Sequence, residues 1–193
     1  MSNVLIIEAS HRAKGNSQDI ADLVASLAVE AGRSVETINL RKLKFHYCIA
    51  CEACATTGKC VLQDEMQGAY QKLHDAEIIV VAAPIYFQTV GGLLKNFLDR
   101  CQCLYSIHYL MKENFVKDDT LRSKRKLLPI FVGGTMLEDT FPCAENTMRV
   151  WGIDLNCQKQ AAICLGKVDS RGDFLADQVK VAEVRERVEK LFA

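Results

Sequence analysis

Apolar positions along this chain follow two alternating rhythms. Short, nearly continuous runs at "NVLIIEA" (3–9), "SVETINL" (34–40), "EIIVVAA" (77–83) and "KLLPIFVGG" (126–134) have the composition and length of β-strands. Between them apolar residues recur at helical spacing: Ile20, Leu23, Val24, Leu27 and Ala28; then Met66, Ala69, Tyr70 and Leu73; then Leu93, Leu94, Phe97, Leu98 and Cys101. The chain closes on Phe174, Val181, Val184, Val188 and Leu191, again at helical spacing, after a less regular helix around "CAENTMRVWG" and a strand within "LNCQKQAAICL". Such alternation predicts a parallel sheet with helices on both faces. The run at 77–83 lacks any polar alternation, as a central strand covered on both sides would. Pro129 weakens the run at 126–134 unless it lies near the start of the strand or on an edge. Asp64 with Gln67 resembles a capping box for the helix near Met66. Residues 105–125, "YSIHYLMKENFVKDDTLRSKR", have no clear rhythm and fit a lid, an oligomer contact or a long connection.

The 193 residues, 49% of them hydrophobic, suffice for one well-buried core, so a single domain over 1–193 is expected. Lysine plus arginine equals aspartate plus glutamate at 24 each, which leaves no net field to attract nucleic acid or an anionic membrane. The opening "MSNVLIIEASHR" has no basic stretch before its apolar run, and the longest apolar stretch, 78–87, is interrupted by Pro84. These features predict a cytoplasmic protein whose partners are small molecules or other proteins. Nine cysteines then become informative, because structural disulfides are uncommon in a reducing compartment and clustered thiols there signal metal or redox chemistry.

In an open parallel sheet, ligands gather where the loops leave the carboxyl ends of the strands. The first such loop carries Ser10, Arg12, Asn16 and Ser17, with Gly15 just before a helix N-terminus, a place whose backbone N–H groups suit a phosphate. It matches neither the Rossmann fingerprint nor the P-loop, and on its own it also fits a solvated turn. The second brings Ile85, Tyr86 and Phe87 out after Pro84, as a wall for a planar ligand or as a cap on the core. The third holds Gly133, Gly134 and Thr135.

Cys48, Cys51, Cys54 and Cys60 read C-x2-C-x2-C-x5-C, within a cysteine-rich loop at 46–62. Two-residue spacers turn successive thiolates toward one centre, and a fourth reached through Gly58 closes the shell, as iron-sulfur clusters require. A four-thiolate zinc site and a plain packed loop of reduced thiols are the competing readings. Cys101, Cys103, Cys143, Cys157 and Cys164 read as buried small apolar residues.

Taken together, "IEASHRAKGNS" and "APIYFQTVGGLLKNFLDR" resemble the NAD(P)H-dependent FMN reductase group of flavodoxin-like proteins, and 48–60 resembles the iron-sulfur flavoproteins within it. The resemblance implies an α/β three-layer sandwich, a five-stranded parallel sheet in order 2-1-3-4-5, FMN at its carboxyl edge and a homodimer or homotetramer. By position, Ser10, Arg12, Asn16 and Ser17 would hold the FMN phosphate, Pro84, Ile85, Tyr86, Phe87 and Gln88 would run beside the isoalloxazine, and Gly134 and Thr135 would complete the flavin site. Ala9, His11 and Gln88 depart from the group's usual glycine, proline and glycine; His11 could donate to the phosphate. The implied activity is electron transfer from NAD(P)H or a ferredoxin-like donor through FMN and one 4Fe–4S cluster, with cluster and FMN of neighbouring subunits approaching each other. The rivals are a cluster-free NAD(P)H:flavin or quinone reductase, a non-enzymatic electron carrier, and a zinc-stabilised binding module.

Overall fold

The computed structural model describes residues 3–193. Its strands are β1 (Asn3–Glu8), β2 (Ser34–Asn39), β3 (Ile78–Tyr86), β4 (Thr89–Val90), β5 (Lys126–Val132), β6 (Gln158–Lys159) and β7 (Ile163–Leu165). The helices are α1 (Asn16–Glu30), α2 (Cys54–Thr57), α3 (Met66–Asp75), α4 (Gly92–Arg100), α5 (Gln102–Tyr105), α6 (Asp119–Lys124), α7 (Pro142–Asp154), α8 (Asp173–Ala176) and α9 (Gln178–Phe192), with a π-helical turn at Ser106–Leu110. The parallel sheet runs β2-β1-β3-β5, and its fifth position is shared by β6 and β7, so the flavodoxin-like order expected from the sequence holds.

Alternating strand residues explain the three layers. Leu5, Ile7, Ile79, Val81, Leu127 and Phe131 face one side, where Met66, Leu73, Leu94, Phe97 and Trp151 of α3, α4 and α7 cover them. Their neighbours Val4, Ile6, Ile78, Val80, Leu128 and Ile130 face the other side, under Ile20, Val24, Val184 and Val188 of α1 and α9. Among the described residues, no helix is long and apolar enough to cross a membrane.

Pro129 falls neither at the start of β5 nor on an edge: it pairs with Val81 on one side and has β6 and β7 on the other. Leu127 O accepts from Gln160 N and Gly133 N donates to Leu165 O, so residues of this parity turn their polar groups toward the fifth position. Pro129 has no N–H to offer there. The partner strand breaks at that point, β6 pairing with Lys126–Leu127 and β7 with Ile130–Val132.

Two further expectations are corrected. The stretch after Ala83 is not a loop: β3 continues to Tyr86 and folds back as a hairpin onto β4, with Phe87 and Gln88 both at positive φ (49° and 61°). Cys143 is exposed in the first turn of α7, and Cys157 and Cys164 are half-buried; Cys101 and Cys103 are buried as expected. Residues 105–125 resolve into the end of α5, the π-helical turn and α6, whose N-cap Asp118 accepts from Thr120 N and Leu121 N.

Asp154, in the last turn of α7, is buried with Oδ1 unpaired, and burial lifts its carboxyl to about 6 against the lowering influence of His108. A folded pKa above the unfolded value of about 3.9 means the folded state holds a proton that the unfolded state releases. Stability therefore falls as pH rises through that window. Asp154→Asn should be more stable than the parent at about pH 7 and lose that advantage near pH 4; urea denaturation at both pH values checks this, and a pH-independent difference would contradict it.

Candidate functional site

Two cavities gather the chemistry. The first is an open cleft at the carboxyl edge of β1, β3 and β5, the place where ligands gather on a parallel sheet. It is lined by Ser10, Arg12, Asn16 and Ser17 from the first loop, Pro84, Ile85 and Tyr86 from β3, and Gly134 from the third. His11, Phe87, Gln88 and Thr135 stand outside this lining. The His11 ring lies 6.0 Å from that of Tyr86, and the Thr135 hydroxyl pairs with Thr140 at 3.2 Å. Phe87 is fully exposed at the hairpin tip.

No side chain caps α1, whose N-cap is Gly15; Gln18 N donates to Gly15 O at 2.8 Å, which leaves the N–H groups of Asn16 and Ser17 as the ones suited to an anion in the cleft. Ser10 and Ser17 are buried there, Ser10 Oγ accepting from Arg12 N at 3.1 Å. Asn16 spends its side chain elsewhere: Nδ2 donates to Ser170 O at 2.9 Å and Oδ1 accepts from Phe174 N at 3.2 Å. Arg12 likewise donates to Asp169 O at 2.8 Å. These bonds join the first loop to the loop after β7, which adds Val168, Asp169 and Arg171 to the cleft. Sequence reasoning missed that loop, although "GKVDSRG" leaves a strand at the same sheet edge and the same rule applied to it would have found it.

The second cavity, about 810 Å³, is lined by Cys48, Cys51, Cys54 and Cys60, all free thiols, and by Arg100, Cys103 and Ser106. Ala50 and Glu52, between these cysteines, hold positive φ (50° and 59°), and Gly58 closes α2 at φ 65°. Among the described residues, no three His, Cys, Asp or Glu side chains converge as ligands of a single metal ion. Four free thiols on the wall of one cavity are the donor type that a cluster core, with one thiolate to each iron, or a four-thiolate zinc site would use. Cys103 is buried, and burial pushes its thiol up to about 11.

Both ends of the cysteine segment are pinned to α4. The Arg100 side chain is wholly buried and its guanidinium grips Asp64 in a bidentate pair at 2.7 and 3.1 Å while donating to His46 O at 2.7 Å. Asp64 also accepts from His46 N and Met66 N, both at 3.0 Å. Burial alone would raise the Asp64 carboxyl; the bonds from Arg100, His46 and Met66 outweigh it and hold it below its ordinary value. Gln67, expected to complete a capping box, instead donates to Leu62 O and Cys60 O and so ties the loop itself.

Residues 2–137 match the family model described as NADPH-dependent FMN reductase, well over half of the chain. The chain belongs to that family. Within it, the chain is similar to an iron-sulfur flavoprotein of Archaeoglobus fulgidus, at 29% identity over 49% of this chain and 43% of that protein. It is also similar to an iron-sulfur flavoprotein of Methanosarcina thermophila, at 31% identity over 55% of this chain and 56% of that protein. The matched segments thus span about half the length of these curated relatives. The fold superposes on the NAD(P)H:quinone oxidoreductase from Methanothermobacter marburgensis with a TM-score of 0.70 at 15% identity, covering 100% of this chain and 96% of that one, a likeness of fold.

Gly58 is where this FMN reductase relative is least tolerant in the cysteine loop. Its φ is left-handed, and a Cβ there would come within 2.8 Å of Ile107 and 3.2 Å of the Met111 sulfur. Gly58→Ala should therefore destabilise the protein by about 1 to 3 kcal/mol and raise the alkylation rate of Cys51 and Cys54 in metal-free protein. Denaturant titration and mass-spectrometric thiol mapping check this; unchanged stability and labelling would contradict it.

Proposed function

We propose that this chain is an FMN-dependent oxidoreductase passing electrons from NAD(P)H or a ferredoxin-like donor to an acceptor through FMN in the first cleft and one 4Fe–4S cluster held by Cys48, Cys51, Cys54 and Cys60. The observation that carries the reading is that four free cysteines line one cavity in a member of the FMN reductase family whose helix α1 begins beside a second cleft with no side-chain cap.

In that cleft the phosphate of FMN would meet the hydroxyls of Ser10 and Ser17, the N–H groups of the first turn of α1, and the guanidinium groups of Arg12 and Arg171. Asn16 contributes its backbone N–H, since its amide is committed to Ser170 and Phe174. Pro84, Ile85 and Tyr86 form the wall beside the isoalloxazine, and Gly134 leaves room for close backbone approach on the other side. Bound FMN accepts a hydride and releases electrons singly, and a cluster exchanges one electron at a time, so the pair converts two-electron into one-electron transfer. The protein's own share is orientation and charge. Phe87, fully exposed on a left-handed backbone, and the exposed Tyr47, Ile49 and Val61 beside the cysteines support a homo-oligomer whose contacts cover them.

A cluster-free flavin or quinone reductase draws support from one observation, the lack of a converged metal-ion site among the described residues. Cofactor analysis of anaerobically purified protein separates the two. The reading expects bound FMN with about four irons per chain, and Cys54→Ser should remove the iron absorbance while sparing the flavin. Flavin without iron after anaerobic reconstitution would establish the cluster-free enzyme, and protein without flavin would overturn both.

A further inference from the structure

Arg100 carries a polar atom that the folded chain leaves unused. Its Nη1 and Nη2 serve Asp64 and His46, yet Nε is buried and has no hydrogen-bond partner. Native interiors seldom leave a donor orphaned, and here the donor belongs to a group that stays charged at every physiological pH. Arg100 is also one of the residues that line the cysteine cavity, with Cys54, Cys60 and Cys103, its side chain lying behind the surface of that wall. Cys60 lies near enough for charge on its sulfur to act on the guanidinium. A neutral thiol is a weak acceptor, whereas a metal-bound thiolate or an inorganic sulfide is anionic and accepts well.

We propose that Arg100 is a positioning residue for the iron-sulfur centre, its Nε–H donating to a ligating cysteine sulfur in the wall of the loaded cavity and its charge favouring the more negative, reduced form; this rests on the cluster reading above. Asp64 sets the strength of the effect, because its carboxylate offsets part of the guanidinium charge while fixing the plane in which Nε is presented. Ser106, whose Oγ lies 3.7 Å from the Cys54 sulfur, stands on the same wall and shows that this segment reaches the ligating residues. Hydrogen bonds and net charge around the sulfurs are the levers by which a protein tunes such a potential.

The test is an anaerobic redox titration of reconstituted protein with mediators, following the cluster by electron paramagnetic resonance as one electron passes to it from dithionite. Arg100→Lys keeps the charge beside Asp64 but replaces the Nε donor with a methylene. It should shift the equilibrium about tenfold toward the oxidised cluster, a fall of about 59 mV for one electron. Asp64→Asn removes the offsetting negative charge and should shift the potential upward. Opposite signs support the proposal. Shifts of the same sign, or none, would mean that Arg100 only holds the loop, and would overturn it. Retained flavin and an unchanged circular dichroism spectrum certify each variant as folded. If Arg100→Lys does not fold, Asp64→Asn decides alone, a rise supporting the proposal and no change or a fall overturning it. Parent protein that takes up no iron would overturn the cluster reading itself, a result distinct from any failure of the Arg100 role.

Discussion

Asp64 satisfies donors from three parts of the chain at once: the guanidinium of Arg100, the backbone N–H of His46 and the backbone N–H of Met66. One carboxylate thus anchors the start of the cysteine segment, its end, and the helix that follows it, all onto the last residue of α4. Taking both charges out of water is costly, so the pair adds less net stability than its geometry suggests; removing one partner alone would cost about 3 to 5 kcal/mol. What the pair supplies is definition. Without it, a segment with left-handed alanine and glutamate residues would have little reason to hold its thiols around one space.

α4 connects this arrangement to the first cleft. It begins beside the β3–β4 hairpin, where a side chain at Gly91 would strike the Tyr86 ring at 2.9 Å, and ends at Arg100 in the wall of the cysteine cavity. Its nine residues span about 13 Å at the helical rise. Within one chain, then, a single rigid element relates the wall of one cavity to the wall of the other. The first cleft is fixed from the opposite side by Arg12 and Asn16, which lace the first loop to the segment after β7, with Ser10 and Ser17 among its lining residues.

Much of this was legible from sequence because the relevant signals are local. The continuous apolar runs at β1, β3 and β5 and the helical stripes of α1, α4 and α9 report burial directly, and the C-x2-C-x2-C-x5-C spacing marks four cysteines that the fold brings to the wall of one cavity. The β3–β4 hairpin was hidden because Phe87 and Gln88 take left-handed conformations without the Asn-Gly or Asp-Gly pair that usually signals such a turn. Pro129 weakened the reading of β5, yet it lies inside the strand at the register where the neighbouring strand is split between β6 and β7. Asn16 lines the cleft, and the bonds of its side chain could not be read from sequence, since Ser170 and Phe174 are more than 150 positions away and only the tertiary structure brings them there. Arg100 carried no signal at all: a basic residue at a helix end normally reads as solvated, and its burial depends on Asp64 arriving from another element.

The account's central claim is that the cavity bounded by the cysteine loop and Arg100 is the seat of an iron-sulfur cluster, separate from the cleft at the end of β1 and β3. Anomalous diffraction at the iron edge, on crystals grown without oxygen, tests this most directly. The account expects a compact group of iron peaks between Cys48, Cys51, Cys54 and Cys60, on the side of the cavity that Arg100 lines. An empty cavity beside a flavin-filled cleft, or a lone zinc atom in place of the iron, would contradict it.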